Sequence, residues 1–133
     1  MRNFLQLAGA EKPCFEFRHP APQPADNRRY RRVAFDAFEQ AATVHGFAGT
    51  FDCLLYGDVH ISIAPKTFSE GMFSWFPVFI PLKEPVRVEK GDVLDTHWWR
   101  HVDPRNVWYS WAVTGPDVVS THNVGGRAHK IGL

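Results

Sequence analysis

The stretch “GMFSWFPVFIPL”, residues 71–82, combines four aromatic side chains with two prolines. Pro77 has no backbone N–H to donate to a sheet, so a regular central strand should not contain it. We therefore expect Phe73–Phe76 to lie in a loop or at a strand entrance, and “FPVFIPL” to form the strand that anchors them. Two interpretations of the rings stay open. They fill a core, or they stand on a rigid scaffold and stack on a planar cation.

Strand signals recur on both sides of this stretch. In “VHISIAP” (residues 59–65) the residues Val59, Ile61 and Ile63 share a face, and “VWYSWAVT” (residues 107–114) alternates in the same way. Short strands separated by frequent turn signals predict an all-β fold, an antiparallel β-barrel or a sandwich-like barrel, in one domain covering residues 1–133. We also expect strands in “PCFEFRHP” (13–20) and “RRYRRVAF” (28–35), and a turn of helix in “FDAFEQAATV” (35–44).

Composition narrows the class of protein. The chain has 133 residues, of which 44% are hydrophobic and 14% aromatic, so it can build a core. Its formal net charge of +1 gives no electrostatic reason to expect direct binding to nucleic acid or to an anionic membrane. No apolar run approaches the roughly 20 residues that span a bilayer. Only two cysteines occur, which favours a reduced, intracellular setting.

The sequence contains no recognisable catalytic motif. It has no glycine-rich phosphate loop, no zinc-spaced cysteine and histidine cluster, and no nucleophile elbow. His97 and His101 are four residues apart on an expected strand, but a metal would need two or three further ligands. We therefore interpret both histidines as ordinary polar positions and predict no metal site.

Two further clusters have an ordinary and a functional interpretation. “RRYRR”, residues 28–32, flanks an aromatic ring with cations, as nucleic-acid-binding patches do. The low net charge instead favours an edge strand that uses arginine to resist pairing with other chains. The tryptophans of “WWRH” and “VWYSW”, at strand spacing, favour core packing over a ligand platform.

Six collinear segments resemble the carboxy-terminal β-barrel domain of type II protein arginine methyltransferases. They are “PCFEFRHP”, “DNRRY”, “VHGFAGTFDCLLYGD”, “ISIAPKTFSEGMFSWFPVFIPLKEPVRVEKGD”, “VWYSWAVTGP” and “GRAHKIGL”. They cover most of the chain, and “GMFSWFP” is an unusual sequence. The resemblance implies a domain packed behind a Rossmann domain that holds S-adenosylmethionine and the catalytic glutamates. Neither that Rossmann domain nor the family's TIM-barrel domain is recognisable in this chain.

The resemblance also implies a substrate-binding role for three residues. In the family a barrel loop carries “FSW” over the active-site mouth, and here that motif is Phe73, Ser74 and Trp75. The role of stacking on the substrate guanidinium carries to Trp75, and contacts with the substrate peptide carry to Ser74 and Phe76. A second motif, “THW” at residues 96–98, lies in a later strand and receives no such role.

These inferences lead to one leading hypothesis. The chain supplies substrate contacts to an enzyme that makes symmetric dimethylarginine in histones or Gly-Arg-rich tails, in the cytoplasm and nucleus. Alone, it is expected to bind no S-adenosylmethionine and to transfer no methyl group. Two alternatives stay open: a free-standing module that binds arginine-rich or methylarginine peptides, and an inactive fragment.

Overall fold

The computed structural model describes residues 9–21 and 26–133, and their regular structure is almost entirely β. The only helix among these residues is a single 3-10 turn, Val124–Gly126, so none of them forms a helix long and apolar enough to cross a membrane. The strands are β1 Arg29–Ala34, β2 Ala42–Gly49, β3 Asp52–Tyr56, β4 Val59–Ser62, β5 Val78–Val88, β6 Asp95–Val102, β7 Asn106–Gly115, β8 Val119–His122 and β9 Ile131–Gly132. The all-β prediction is confirmed.

The strands pair into one five-stranded sheet and two two-stranded sheets. The larger sheet has the order β1–β6–β7–β8, and β9 pairs with β7 beyond the end of β8. Its ladders are antiparallel, as the sequence predicts. Among the described residues the pairings form open sheets without a closed ring of strands.

The chain divides into two compact units, and the first contains the large sheet. This unit comprises the described residues up to Val44 together with Val86–Leu133. Its buried residues alternate along β6, whereas in β7 the neighbours Ala112 and Val113 are both buried. The buried residues of this unit include Val33, Val88, Trp98, Val107 and Val113.

A buried threonine links the first two strands of this sheet. Thr96 is fully buried, and its hydroxyl donates a hydrogen bond of 2.8 Å to the Val33 carbonyl oxygen. The Thr96 hydroxyl oxygen in turn accepts the indole N–H of Trp98 at 2.8 Å. Trp98 also stacks on its cross-strand partner Trp111, with ring centroids 6.4 Å apart. The tryptophan of the “THW” motif therefore belongs to the core.

One asparagine side chain organises the segment between β8 and β9. Asn123 has φ 51°, a left-handed conformation that asparagine tolerates better than most residues. Its side-chain amide donates to the carbonyl oxygens of Tyr109 and His129, at 2.8 and 2.7 Å. Its side-chain oxygen accepts the backbone N–H groups of Ala128 and His129, both at 3.0 Å. These bonds tie the segment leading to β9 to strand β7.

Two local predictions are wrong. The helical turn expected in residues 35–44 does not form, because the backbone N–H groups of Phe35 and Phe38 bond to the carbonyl oxygens of Leu94 and Asp92 and β2 begins at Ala42. Residues 13–20 form no strand. Phe15 instead packs against Tyr109 with ring centroids 6.2 Å apart, so the alternation of Phe15 and Phe17 reflects packing of side chains rather than a hydrogen-bonded ladder.

The second unit, His45–Pro85, contains the β3–β4 hairpin and most of the β2–β5 pair. Glycines 46 and 49 lie in β2, where the sequence suggests a bulge or a bend. At Gly46 the backbones of β2 and β5 approach closely and leave no room for a side chain, because an added Cβ would lie 2.5 Å from the Ile80 carbonyl oxygen. At Gly49 the nearest atom would be 3.6 Å away, an ordinary contact.

This difference predicts unequal effects of the same substitution. Gly46→Ala should lower the free energy of unfolding by about 1–3 kcal/mol, because β5 must shift to admit the methyl group. Gly49→Ala is the matched control in the same strand and should be close to neutral. Urea unfolding of both variants measures the difference. Equal stability of the two variants would contradict the close approach of β2 and β5.

Candidate substrate-binding loop

The aromatic loop, residues 71–77, precedes strand β5, where the sequence predicts a loop or strand entrance. Two tight turns shape it. The Phe73 N–H donates to the Gly71 carbonyl oxygen at 2.9 Å, and the Trp75 N–H donates to that of Met72 at 3.2 Å. Gly71 has a φ angle of 84°, a backbone conformation that residues other than glycine rarely adopt. Glycine at this position therefore permits the turn that carries the aromatic rings outward.

The aromatic side chains of this loop are exposed in the chain. Phe73 is 86%, Trp75 56% and Phe76 74% exposed, and Ser74 is exposed as well. Trp75 is the least exposed of the three rings because it makes an edge-to-face contact with Phe51, with ring centroids 5.4 Å apart. This contact holds the indole at one side and leaves more than half of it open to solvent.

A buried serine holds the segment that leads into the aromatic loop. Ser62 is fully buried at the end of β4, and its hydroxyl lies 2.8 Å from Thr67 Oγ1 and 3.1 Å from the Phe51 carbonyl oxygen. The backbone of Ser62 exchanges two further hydrogen bonds with Ser69. Ser62 therefore connects the 64–69 segment to Phe51, the residue on which Trp75 rests.

An acidic residue extends this network to strand β3. The Thr67 hydroxyl donates to Asp52 Oδ2 at 2.8 Å, and His60 Nδ1 lies 3.4 Å from Asp52 Oδ1. The hydrogen bond from Thr67, followed by the contacts with His60 and Ser62, lowers the pKa of Asp52 below its usual value. Asp52 is thus ionised at neutral pH. The sequence analysis did not single out Asp52, Ser62 or Phe51 as supports of the aromatic loop.

The histidines that the sequence singled out have separate partners. His97 Nδ1 lies 2.7 Å from the Tyr30 hydroxyl oxygen, and the His97 ring stacks on that of Trp99. His101 stacks on Trp108 with ring centroids 5.1 Å apart. Within residues 9–21 and 26–133, no three His, Cys, Asp or Glu side chains are grouped so as to hold a metal ion.

Residues 29–32 of the “RRYRR” segment lie in β1, which is at one end of the strand order in the large sheet. Arg32 pairs with Asp95 at 2.6 Å and Arg28 with Asp26 at 2.8 Å, so two of the segment's cations are matched by carboxylates. An open cleft of about 320 Å³ lies beside its first residues. The residues lining it are Arg28, Arg29, Tyr30, Trp99, Arg100 and His101.

The two cysteines are free thiols. Burial raises the pKa of the Cys14 thiol to about 11, against a smaller opposite effect of Arg31. Cys14 is therefore a neutral thiol at physiological pH and lacks the low pKa of a nucleophilic cysteine.

Comparison with known proteins adds a consistent set of relatives. The family model described as PRMT5 oligomerisation domain matches residues 1–131. The chain is 45% identical over 122 residues to Protein arginine N-methyltransferase 5 of Oryza sativa subsp. indica and 42% identical over 134 residues to that of Xenopus laevis. It is 36% identical over 121 residues to Protein arginine N-methyltransferase skb1 of Schizosaccharomyces pombe.

The alignments cover 90%, 100% and 80% of this chain, respectively, and 19%, 21% and 19% of the three relatives. The chain thus spans about one fifth of the length of the curated relatives it matches.

The hydrogen bond between Thr67 and Asp52 predicts a measurable change in the pKa of Asp52. Thr67→Val removes the hydroxyl that donates to Asp52, so the pKa of Asp52 should rise towards its ordinary value of 3.8. Because the folded-state pKa is lowered, the stabilisation by Asp52 is present above the unfolded-state pKa and disappears as the pH falls through the folded-state value. The variant should therefore lose less stability on acidification.

A carboxyl-carbon NMR titration measures this pKa directly. Thr50→Val, at an exposed position in the same unit, is the control and should leave the Asp52 titration unchanged. An Asp52 pKa that is identical in the wild type and Thr67→Val would contradict the assigned hydrogen bond.

Proposed function

Because the chain belongs to the family of PRMT5 oligomerisation domains, we propose that it is the β-barrel, substrate-presenting part of a type II protein arginine N-methyltransferase. The observation that carries the proposal is the Trp75 indole, which is exposed over more than half of its surface and supported at one side by Phe51. Trp75 also occupies the tryptophan position of the “FSW” motif. The substrates we propose are histone or Gly-Arg-rich tails, with symmetric dimethylarginine as the product.

The chemistry of the substrate explains the use of an indole. A guanidinium is a planar cation, and stacking on an indole face is worth roughly 0.5–2 kcal/mol. Orientation matters more than this energy, because methyl transfer requires one guanidinium nitrogen to approach the donor carbon in line. An indole braced by Phe51 would restrict the tilt of the guanidinium and present that nitrogen in a fixed direction.

Two neighbours of Trp75 complete the proposed contact. Ser74 and Phe76 are exposed on either side of it. We assign both to contacts with the substrate peptide, largely through their backbone groups. The tight turns at Gly71 and Met72 support this assignment, since they hold the backbone of the aromatic loop in one conformation.

The described residues do not fit S-adenosylmethionine. Nucleotide-type cofactors are usually held where a glycine-rich turn joins a parallel strand to a helix. The β1–β6 and β6–β7 pairs are antiparallel, and the single helical turn among the described residues is three residues long. The cofactor and the acidic groups that polarise the guanidinium are therefore proposed to come from a Rossmann domain of the parent enzyme.

The free cysteines support a location in the reducing cytoplasm and nucleus.

Substitution of Trp75 tests the proposal in a chimera. This chain replaces the matching segment of the Xenopus laevis relative, which aligns with 100% of it. Trp75→Ala should lower kcat/KM for a Gly-Arg-rich peptide by about 2- to 30-fold from lost stacking alone, and further if orientation is lost. The melting temperature should change little, since the side chain is largely exposed.

Phe68→Ala is the matched control, because Phe68 is an aromatic residue with the same exposure of 56% in the same unit. It should leave methylation unchanged. A large fall in melting temperature for Trp75→Ala, or equal loss of activity in both variants, would refute the substrate-presenting role.

The isolated chain should transfer no methyl group from labelled S-adenosylmethionine to the same peptide. Transfer above a heat-denatured blank would place a cofactor site in this chain and contradict the proposed division of roles. Tight binding of the peptide by the isolated chain, lost in Trp75→Ala, would instead favour a free-standing binding module.

A further inference from the structure

Two arginines face each other across the β1–β6 ladder. Arg29 and Arg100 are direct register partners, and the two guanidinium carbons lie 5.0 and 5.2 Å from the centroid of the same ring, that of Phe17. Like charges directly opposite each other in adjacent strands destabilise a sheet. The arrangement therefore needs a compensating interaction.

The described residues supply only part of that compensation as a carboxylate, because Asp26 attracts Arg29 but is hydrogen-bonded to Arg28. Arg29 donates to the backbone carbonyl oxygens of Asp26 and Arg28, and Arg100 donates to that of Asn27. Among the described residues, neither arginine forms an ion pair with Asp or Glu, and the buried Nε of Arg100 has no hydrogen-bond partner. The pair thus combines two positive charges with only partial hydrogen-bonding satisfaction.

Two neighbouring arginines, Arg28 and Arg32, are different because each has its own acid. Arg28 forms hydrogen bonds with both oxygens of Asp26, and these bonds lower the pKa of that carboxyl to about 2. Arg32 binds both oxygens of Asp95. Within the described part of the chain, Arg29 and Arg31 are the arginines of β1 that form no ion pair with Asp or Glu, and only Arg29 lies opposite another arginine, Arg100.

The two guanidiniums are also held in place before any ligand arrives. Phe17, which is 41% exposed, contacts both of them, and backbone carbonyl oxygens fix one N–H group of each. An anion that binds here would immobilise few additional side-chain rotamers, which lowers the entropic cost of association. Guanidinium groups also match the geometry of a carboxylate better than ammonium groups do.

We propose that Arg29, Arg100 and Phe17 form a docking site for the carboxylate side chains of an acidic peptide segment. One or two carboxylates neutralise the pair, and the cleft beside it accommodates flanking side chains against Tyr30 and Trp99. A nucleic acid fits less well, because its repeating phosphates need a continuous row of free cations, whereas Arg28 and Arg32 of this segment are paired with carboxylates. The site lies in the first unit, whereas the aromatic loop lies in the second, and it does not depend on the proposed methyltransferase role.

Fluorescence anisotropy of a labelled glutamate-rich peptide with the full chain tests this proposal. The peptide should bind, its glutamine counterpart should not, and added salt should weaken the binding. The double variant R29Q/R100Q should lose at least about tenfold in affinity, a difference of about 1.4 kcal/mol. Phe17→Leu keeps both charges but removes the ring that orders them, so it should bind with an intermediate affinity.

Matched controls separate this site from a general charge effect. R87Q/R105Q removes the same charge in the same unit at exposed positions, and should bind the peptide like the wild type. Should R29Q/R100Q fail to fold, R29K/R100K retains the charges without the planar fork and should still bind less tightly than the wild type.

Three outcomes would overturn the proposal. The first is equal binding of the glutamate and glutamine peptides. The second is an equal loss of affinity in R29Q/R100Q and R87Q/R105Q. The third is tighter binding of a single-stranded RNA of matched charge that is lost in R29Q/R100Q, which would assign the site to nucleic acid. All three are read from binding and are independent of methyl transfer.

Discussion

A hydroxyl that is removed from water must find its hydrogen bonds within the chain, and this requirement organises both units. In the first unit the buried Thr96 bonds to Val33 of the neighbouring strand and to Trp98 of its own. In the second unit the hydroxyl of the buried Ser62 donates to the Phe51 carbonyl oxygen and accepts the Ala64 N–H. An unsatisfied buried hydroxyl costs about 1–3 kcal/mol, so each partner segment is held where the hydroxyl needs it. For Ser62 that segment leads into the aromatic loop.

The proposed function depends on a balance between exposure and support in this loop. Fully exposed rings would reorient freely, and fully buried rings would not be available to a substrate. Trp75 lies between these limits because Phe51 contacts its ring and Ser62 contacts the backbone of Phe51. The position of the indole is thus supported by Phe51 and, through Phe51, by a hydrogen bond of the buried Ser62.

Patterns local in sequence predicted a large part of this structure. Alternation located β1 and β7, because each side chain's face follows from its neighbours two residues away. Pro77 was enough to place the aromatic rings outside a regular strand. The same alternation failed at Ser62, which it assigns to the face opposite Ile61 and Ile63 although Ser62 is fully buried. Its partners at Phe51 and Thr67 are not evident from spacing, so the supports of Trp75 were not predictable.

Nonlocal hydrogen bonds account for the other differences. Residues 35–41 have a composition that permits a helix, yet Phe35 and Phe38 bond to the 92–94 segment instead. The Phe15 and Phe17 pattern is typical of a strand, but these rings pack against Tyr109, Arg29 and Arg100 without a ladder. In each case the deciding partner lies more than ten residues away in the chain. Sequence spacing carries no information about such partners.

The side chain of Asn123 has a consequence for chemical ageing of the protein. Its side-chain nitrogen donates two hydrogen bonds and its side-chain oxygen accepts two. All four bonds therefore require an amide, with one nitrogen and one oxygen, at this position. Loss of the amide nitrogen by deamidation would bring a negative oxygen against two carbonyl oxygens and remove both bonds that the amide donates. Strand β9 would stay paired with β7 through its own ladder, so the damage would fall on the segment at residues 128–129 and not on the strand.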